Sequence, residues 1–415
     1  MTQQADDGVQ AVPVERVAMD FKEDAAADVY EHYAAMRRGC PVSRVEKGSG
    51  LRPFLITRYA DAKAALLDPR LSKNAEHGRQ ELVAAGLGPT YIDGGKHLAD
   101  NMLMSDPPDH TRLRRLVAGQ FTARRSAALA PRIQEITDGL IGAFAPTGRA
   151  EFMAEFAVQL PALVIAELLG VPEADREGFR LRSEGALLPS HDPRQSVALR
   201  GLAQYVAELV ALKRAEPGED LISAMIEGRG EERLTEAELL GSIRLLIIAG
   251  HETTVNLLGN GMLALLLDPE QADLLRKRSE LIPGAVEEFL RYDSPVERAT
   301  LRVASQDVQI GETLIPRGSA VYVALGSANR DSAEFPEAER MDVTRAPSGH
   351  LAFGHGLHFC IGAPLARLEA RIAFETLLRR LPSIELDASV ESLVYQSSTI
   401  MRGLTRLPIR FQTIE

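Results

Sequence analysis

Cys360 stands in the glycine-rich segment Phe353-Gly354-His355-Gly356-Leu357-His358-Phe359-Cys360-Ile361-Gly362. Downstream of it, Leu365, Leu368, Ile372, Phe374 and Leu377 recur at near-helical spacing with Pro364 in a first-turn position, which predicts a helix over 363–380. A cysteine at that helix N-terminus meets unpaired amide N–H groups and the positive end of the helix dipole. Both favour the thiolate and lower the sulfur's pKa, making it a ligand or a nucleophile. No base for a nucleophile pair is signalled nearby, and structural zinc would want paired ligands, whereas Cys40 is remote and lacks such a partner. Gly354, Gly356 and Gly362 let the backbone approach something flat and bulky, and each is free to take positive φ.

A single thiolate suits heme iron, where it pushes electron density onto the metal and favours O–O cleavage. That chemistry needs protons, and a second segment, Ala249-Gly250-His251-Glu252-Thr253-Thr254, offers them. The Glu252 carboxyl can relay protons, and the adjacent Thr253 hydroxyl can bond a backbone carbonyl or a bound oxygen species. The zinc-protease pattern His-Glu-x-x-His opens correctly at His251 but fails at Val255, so His251 is expected to be an ordinary helix-face residue. Two further pairs share helix faces. Glu288 and Arg291 are three apart, and His110 and Arg114 four apart, the latter placing two donors where an anionic group could be held.

Together these segments resemble the cytochrome P-450 superfamily. Its heme loop, Phe-x-x-Gly-x-(His/Arg)-x-Cys-x-Gly, is met at Phe353, Gly356, His358, Cys360 and Gly362; its (Ala/Gly)-Gly-x-(Asp/Glu)-Thr-(Thr/Ser) motif is met at Ala249, Gly250, Glu252, Thr253 and Thr254. The resemblance implies heme b (iron protoporphyrin IX) with Cys360 as the metal ligand, and Ala249, Gly250, Phe353, Gly354 and Gly362 beside the cofactor. It implies His110, Arg114, Arg302 and His358 on the propionates, and Glu252 and Thr253 as the catalytic pair. It also implies a buried network of Glu288, Arg291 and Arg340 bracing the loop. The implied fold is mainly α with small β-sheets, a triangular helical prism holding heme between a long central helix and the Cys-loop helix. The run Ser105-Asp106-Pro107-Pro108-Asp109-His110 and the block 349–373 are most similar to actinobacterial hydroxylases that tailor macrolides and other polyketides.

The implied activity is therefore a heme-thiolate monooxygenase that uses O2 to hydroxylate or epoxidise a bulky, largely aliphatic small molecule, a macrolide or other polyketide. Alternatives are a steroid-like or other lipophilic substrate, or, in a different class, a non-catalytic heme sensor, which would have no need of a proton relay. With no Gly-x-Gly-x-x-Gly loop and only two cysteines, the chain cannot carry its own nucleotide or iron–sulfur centre. Electrons are expected from a ferredoxin and ferredoxin reductase, which the family docks on the face beneath the cysteine.

The elements that must position these groups are also legible. Thr235 and Glu238 form a capping-box start, and helix-compatible sequence runs to Asp268-Pro269, roughly 33 residues and about 50 Å. Strands are expected at 54–57, within 300–324 and at 407–411, with a Gly311-Glu312 turn between. Proline and glycine are evenly spread, so residues 20–415 read as one domain behind a flexible segment 1–20. The polar, acidic first residues and the short apolar runs argue against a signal peptide or membrane anchor, and the protein is expected to be a cytoplasmic monomer. A net charge of −11 argues against nucleic acid. On that acidic background, Arg112, Arg114, Arg115, Arg124 and Arg125, with Arg367 and Arg371, would form a positive face for an acidic electron donor. The pocket is expected from 76–104, 181–200, 246–253, 299–300 and 399–400, with Gly86, Gly88, Gly94 and Gly95 in a mobile entrance loop.

Overall fold

The longest element is the central helix, Glu236–Leu267, and its start follows from two side chains. Thr235 Oγ1 accepts from the Glu238 amide (3.3 Å) while the Glu238 carboxylate accepts from the Thr235 amide (2.8 Å), so two otherwise orphaned donors are satisfied reciprocally. The computed structural model describes residues 16–18, 29–46, 51–85, 100–186, 192–228, 233–346 and 349–412. Among these, helices dominate. The expected entrance-loop glycines 86, 88, 94 and 95 lie outside the described residues, as does most of the segment 1–20; within that segment Arg16–Ala18 form strand β1.

Around the central helix pack Gln159–Leu169, Ile282–Tyr292 and the Cys-loop helix, Ala363–Arg380. Their shared core includes Leu258, Met262, Phe289, Phe374 and Leu377. Each aromatic buried there contributes about 1.5–3 kcal/mol of transfer free energy. The helices meet closely because Gly261 has no side chain: a Cβ there would come within 2.8 Å of Phe374 and 2.9 Å of Phe289. The helix runs unbroken through Ala249–Thr254 despite its poor helix formers. Thr253 and Thr254 bond back to the carbonyls of Ala249 (2.8 Å) and Gly250 (3.4 Å).

Among the described residues, six strands fall in the expected ranges, at 54–56, 302–304, 308–310, 313–315, 320–323 and 408–410, whereas 16–18, 42–46, 71–72, 149–151 and 385–386 are strands that were not expected. β2 (Val42–Glu46), β3 (Phe54–Ile56), β4 (Leu71–Ser72), β6 (Arg302–Ala304) and β9 (Ala320–Val323) join β1 in one sheet ordered β1-β2-β3-β9-β6-β4. A second sheet joins β5 (Arg149–Glu151) to β10 (Glu385–Leu386) and β11 (Pro408–Arg410). β7 (Val308–Ile310) and β8 (Thr313–Ile315) form a hairpin whose turn places Gly311 at φ +55°. Register matters most at β4 and β6. Ser72 pairs with Val303, which puts Lys73, just past β4, next to Arg302, the first residue of β6. Among the described residues no helix is long and apolar enough to cross a membrane.

Candidate active site around Cys360

A cavity of roughly 370 Å³ lies between the central helix and the Cys loop, and every residue predicted to touch a cofactor or move a proton borders it. These are Cys360, Phe353, Gly354, His358 and Gly362 from the loop, Ala249, Gly250, Glu252 and Thr253 from the central helix, and His110, Arg114 and Arg302. A larger groove of about 1200 Å³ lies elsewhere, but its charges close on one another, Arg402 with Asp293 (2.7 Å) and Arg330 with Glu339 (3.1 Å).

The Cys loop is held by its own backbone. Cys360 N–H donates to Phe353 O (2.9 Å), and Gly354 and Gly356 sit at φ +73° and +70°, where a side chain would be strained. At Gly356 a Cβ would also lie 2.8 Å from Leu67. Gly362 departs from expectation: its φ is −79°, and it serves as the N-cap residue of the Cys-loop helix. By surface area Cys360 is exposed, opening onto the cavity, although protein atoms crowd its sulfur from the other sides. The expected lowering of its pKa is overturned, because burial raises it and outweighs the amides of Gly362 and Ala363 and the charges of Arg114 and Arg367. A thiolate at this position is favoured only once a cationic partner, such as a metal, lies against it.

Beside the cysteine is a cluster of buried bases. His110 is fully buried with neither ring nitrogen hydrogen-bonded, and it meets His358 edge-on at 4.4 Å. Arg302 donates to Leu71 O (3.1 Å), but its Nε has no partner; burial pulls its pKa down to about 10. His358 is driven to about 2, first by burial and then by Lys73, Arg302, His110 and Arg114. Lys73 was not foreseen. Buried, it donates to Thr300 and to the carbonyl of Leu301 (3.1 Å), fixing the strand that bears Arg302. Its pKa falls well below normal through burial and the nearby Arg302. Asp106 opposes these shifts only in part. Unpaired donors and uncompensated positive charge facing one cavity fit an anionic ligand, and the glycine-lined thiol fits a metal beneath it. The residues present therefore suit a heme with its propionates here.

On the opposite wall, Glu252 is pushed up to about 7 by burial, partly offset by the Gln396 amide. Thr253 Oγ1 faces the same cavity while bonding Ala249 O. His251 is buried and bonded to Val158 O (3.1 Å), away from the cavity, as a helix-face residue should be.

Below the loop, Glu288 and Arg291 are almost fully buried and doubly bonded, at 2.7 and 2.8 Å. Arg291 also donates to the carbonyls of Asn329 (2.9 Å), Ala338 (2.8 Å) and Arg340 (3.1 Å). The Asn329 side chain accepts from Leu351 N–H (2.6 Å), which carries the network to the start of the Cys loop. Arg340 is a correction. Its guanidinium is 59% exposed and pairs with Glu337, because the turn that aims its carbonyl inward throws its side chain outward. Arg345 takes the expected place, 3.2 Å from Glu288. The neighbouring Glu287 binds Arg367 through both oxygens (2.6 and 2.7 Å) and His350 (3.1 Å); although burial pushes it up, these partners hold it at about 2. Arg367 in turn lies over the Phe353 ring at 4.4 Å.

Of the expected positive face, Arg115, Arg124 and Arg125 are exposed, and Ala123–Ala128 packs on the Cys-loop helix. Arg112 is drawn away to Glu238, and Arg114 donates to Phe359 O (2.6 Å). Of the expected pocket segments, Leu246, Ile248, Ala249, Gly250, Glu252 and Thr253 and residues 299–300 line the cavity along with Met102, Leu103 and Ile400, while Ile247 and His251 do not; none of its lining comes from the described part of 181–200.

Comparison with known proteins agrees with this geometry. Residues 188–393 match the family model described as Cytochrome P450. The chain is 47% identical to the cytochrome P450 monooxygenase PikC of Streptomyces venezuelae, over 94% of this chain and 92% of that protein. It is 41% identical to the mycinamicin IV hydroxylase/epoxidase of Micromonospora griseorubida, over 94% and 98%. The solved structure of the bacillaene polyketide synthase cytochrome P450 PksS of Bacillus subtilis 168 superposes with a TM-score of 0.86 at 36% identity, covering 93% of this chain and 97% of that one.

Proposed function

The chain belongs to the cytochrome P450 family and is a heme-dependent monooxygenase, and on that premise we propose how its own residues divide the work. The carrying observation is that one cavity is bordered by Cys360 on one side and by Glu252 with Thr253 on the other. The cofactor is heme b, which Cys360 would hold at the iron and His110, Arg114, Arg302 and His358, with Lys73 behind them, would hold at the propionates. When bound, it supplies the reductive activation of O2 and the transfer of one oxygen atom to substrate. Glu252, poised near 7, takes up and releases protons at physiological pH. The Thr253 hydroxyl, anchored by Ala249 O, passes a proton toward the cavity centre. Glu288, Arg291 and Arg345 brace the loop.

The substrate is a bulky, largely aliphatic macrolide or other polyketide. Leu103, Leu245, Leu246, Val296, Ala299, Ile400 and Met401 give the walls above the loop an aliphatic character. Relatives named for mycinamicin IV oxidation and for a bacillaene polyketide synthase support the same class. Residues 20–415 act as one catalytic domain, a cytoplasmic monomer. A ferredoxin, reduced by a ferredoxin reductase, docks on the face that carries the exposed Arg115, Arg124 and Arg125 and the exposed Leu357 and Phe359 of the Cys loop.

Spin-state titration with macrolactones, steroids and aromatic polyketides tests the substrate class. A low-to-high-spin shift with macrolactones is expected, and a response confined to the other two sets contradicts it. Thr253→Ala is expected to leave binding intact while diverting O2 uptake from product to peroxide, and unchanged coupling contradicts the relay.

A further inference from the structure

Gln396 joins the cavity wall to the acid on the central helix. It follows the bridge Tyr395↔Leu404 in a loop that returns through Ile400 and Met401, both of which border the cavity. Its backbone N–H donates to Gly403 O (2.9 Å), closing that loop, and its side-chain Nε2 donates to Asn256 Oδ1 (3.2 Å). The loop presses so tightly on the helix that a Cβ at Gly403 would overlap the Asn256 amide. Asn256 lies one turn beyond Glu252, on the same helix face. A primary amide nitrogen carries two hydrogens. Asn256 receives one, and the other is available to the Glu252 carboxylate, on which the Gln396 side chain acts. Asn256 Nδ2 is itself buried and has no partner, so the cluster keeps an unspent donor beside the acid.

We propose that Gln396 is the positioning residue of Glu252, so that the cavity-lining loop 395–403 sets the orientation of the acid and its readiness to release a proton. The proposal rests on reading Glu252 as the relay acid. Burial favours the neutral carboxyl and the amide donor favours the carboxylate, and the two meet near pH 7. Among the described residues no charged side chain enters that balance. His251 turns away to Val158 O, Arg180 acts on His251, and Glu369 of the Cys-loop helix shares the cavity without acting on Glu252. Substrate pressing on Ile400 or Met401 shifts the loop that carries the amide, linking occupancy of the cavity to the state of the acid.

The test is an infrared pH titration of the ferrous carbon-monoxide complex of the full-length holoenzyme, following the carboxyl band that Glu252→Gln removes. In Gln396→Leu, which keeps the bulk and loses the donor, the midpoint should rise by about one unit. Gln396→Met, unbranched and of similar length, should move it the same way if leucine disturbs packing. A midpoint that stays in place, or one that falls toward the ordinary carboxylate range as water enters, overturns the proposal. O2-to-product coupling in Glu252→Gln tests the relay separately: unimpaired coupling there removes the relay role, while the titration still decides whether Gln396 governs the carboxyl.

Discussion

Two buried charge clusters flank the Cys loop, and they are finished differently. The Glu288–Arg291–Arg345 cluster closes on itself: its carboxylate is matched by guanidinium groups, and the Arg291 donors reach three backbone carbonyls. The His110–Arg302–His358–Lys73 cluster stays open, with ring and guanidinium nitrogens unbonded and, among the described residues, only Asp106 as partial compensation. A closed cluster fixes a shape. An open one costs free energy in the isolated chain and recovers it when an anion arrives, so the same residue types serve structure in one place and binding in the other.

This difference can be broken from either side. Glu288→Gln leaves Arg291 buried without its counter-charge and should cost about 3–5 kcal/mol, lowering the urea midpoint of heme-free and heme-loaded protein alike. Glu369 sharpens the contrast as a buried acid with no basic partner among the described residues: one oxygen is unbonded, and burial alone lifts its pKa to about 8. Because the folded pKa lies above the unfolded one, its contribution to stability is complete below about 4.5 and is lost as pH rises through 8. Glu369→Gln should therefore stabilise the protein at pH 9 relative to pH 5 by up to a few kcal/mol, read from melting temperatures across that range. Arg302→Leu is predicted to leave the heme-free protein as stable or more stable, since it relieves repulsion. Heme transfer to an acceptor protein should nevertheless quicken about tenfold or more. The smallest effect separates two arginines: Arg345→Ala should cost about 1–2 kcal/mol, whereas Arg340→Ala should stay within about 0.5 kcal/mol in denaturant titrations.

What the sequence disclosed and what it withheld follow the same physics. The capping box at Thr235 and Glu238, the glycine loop into Cys360 and the Glu252–Thr253 pair are local, since their partners lie within a few residues, and the structure keeps them. Lys73, Arg345 and Gln396 depend on chain segments far apart in sequence, namely the β4–β6 register, the turn after Phe335 and the C-terminal loop. No spacing within their own segments announces them. The pKa of Cys360 was misjudged because a helix terminus is a local feature, whereas burial is the sum of everything packed around the sulfur. Arg340 failed by a rotation of backbone that motif matching does not resolve.

The central claim is that Cys360 binds the heme iron as a thiolate at the floor of this cavity. The reduced carbon-monoxide difference spectrum of the wild type and Cys360→Ala tests it most directly. A long-wavelength thiolate band in the wild type that vanishes in the variant is predicted; a wild type without that band, or a variant that retains it, contradicts the assignment.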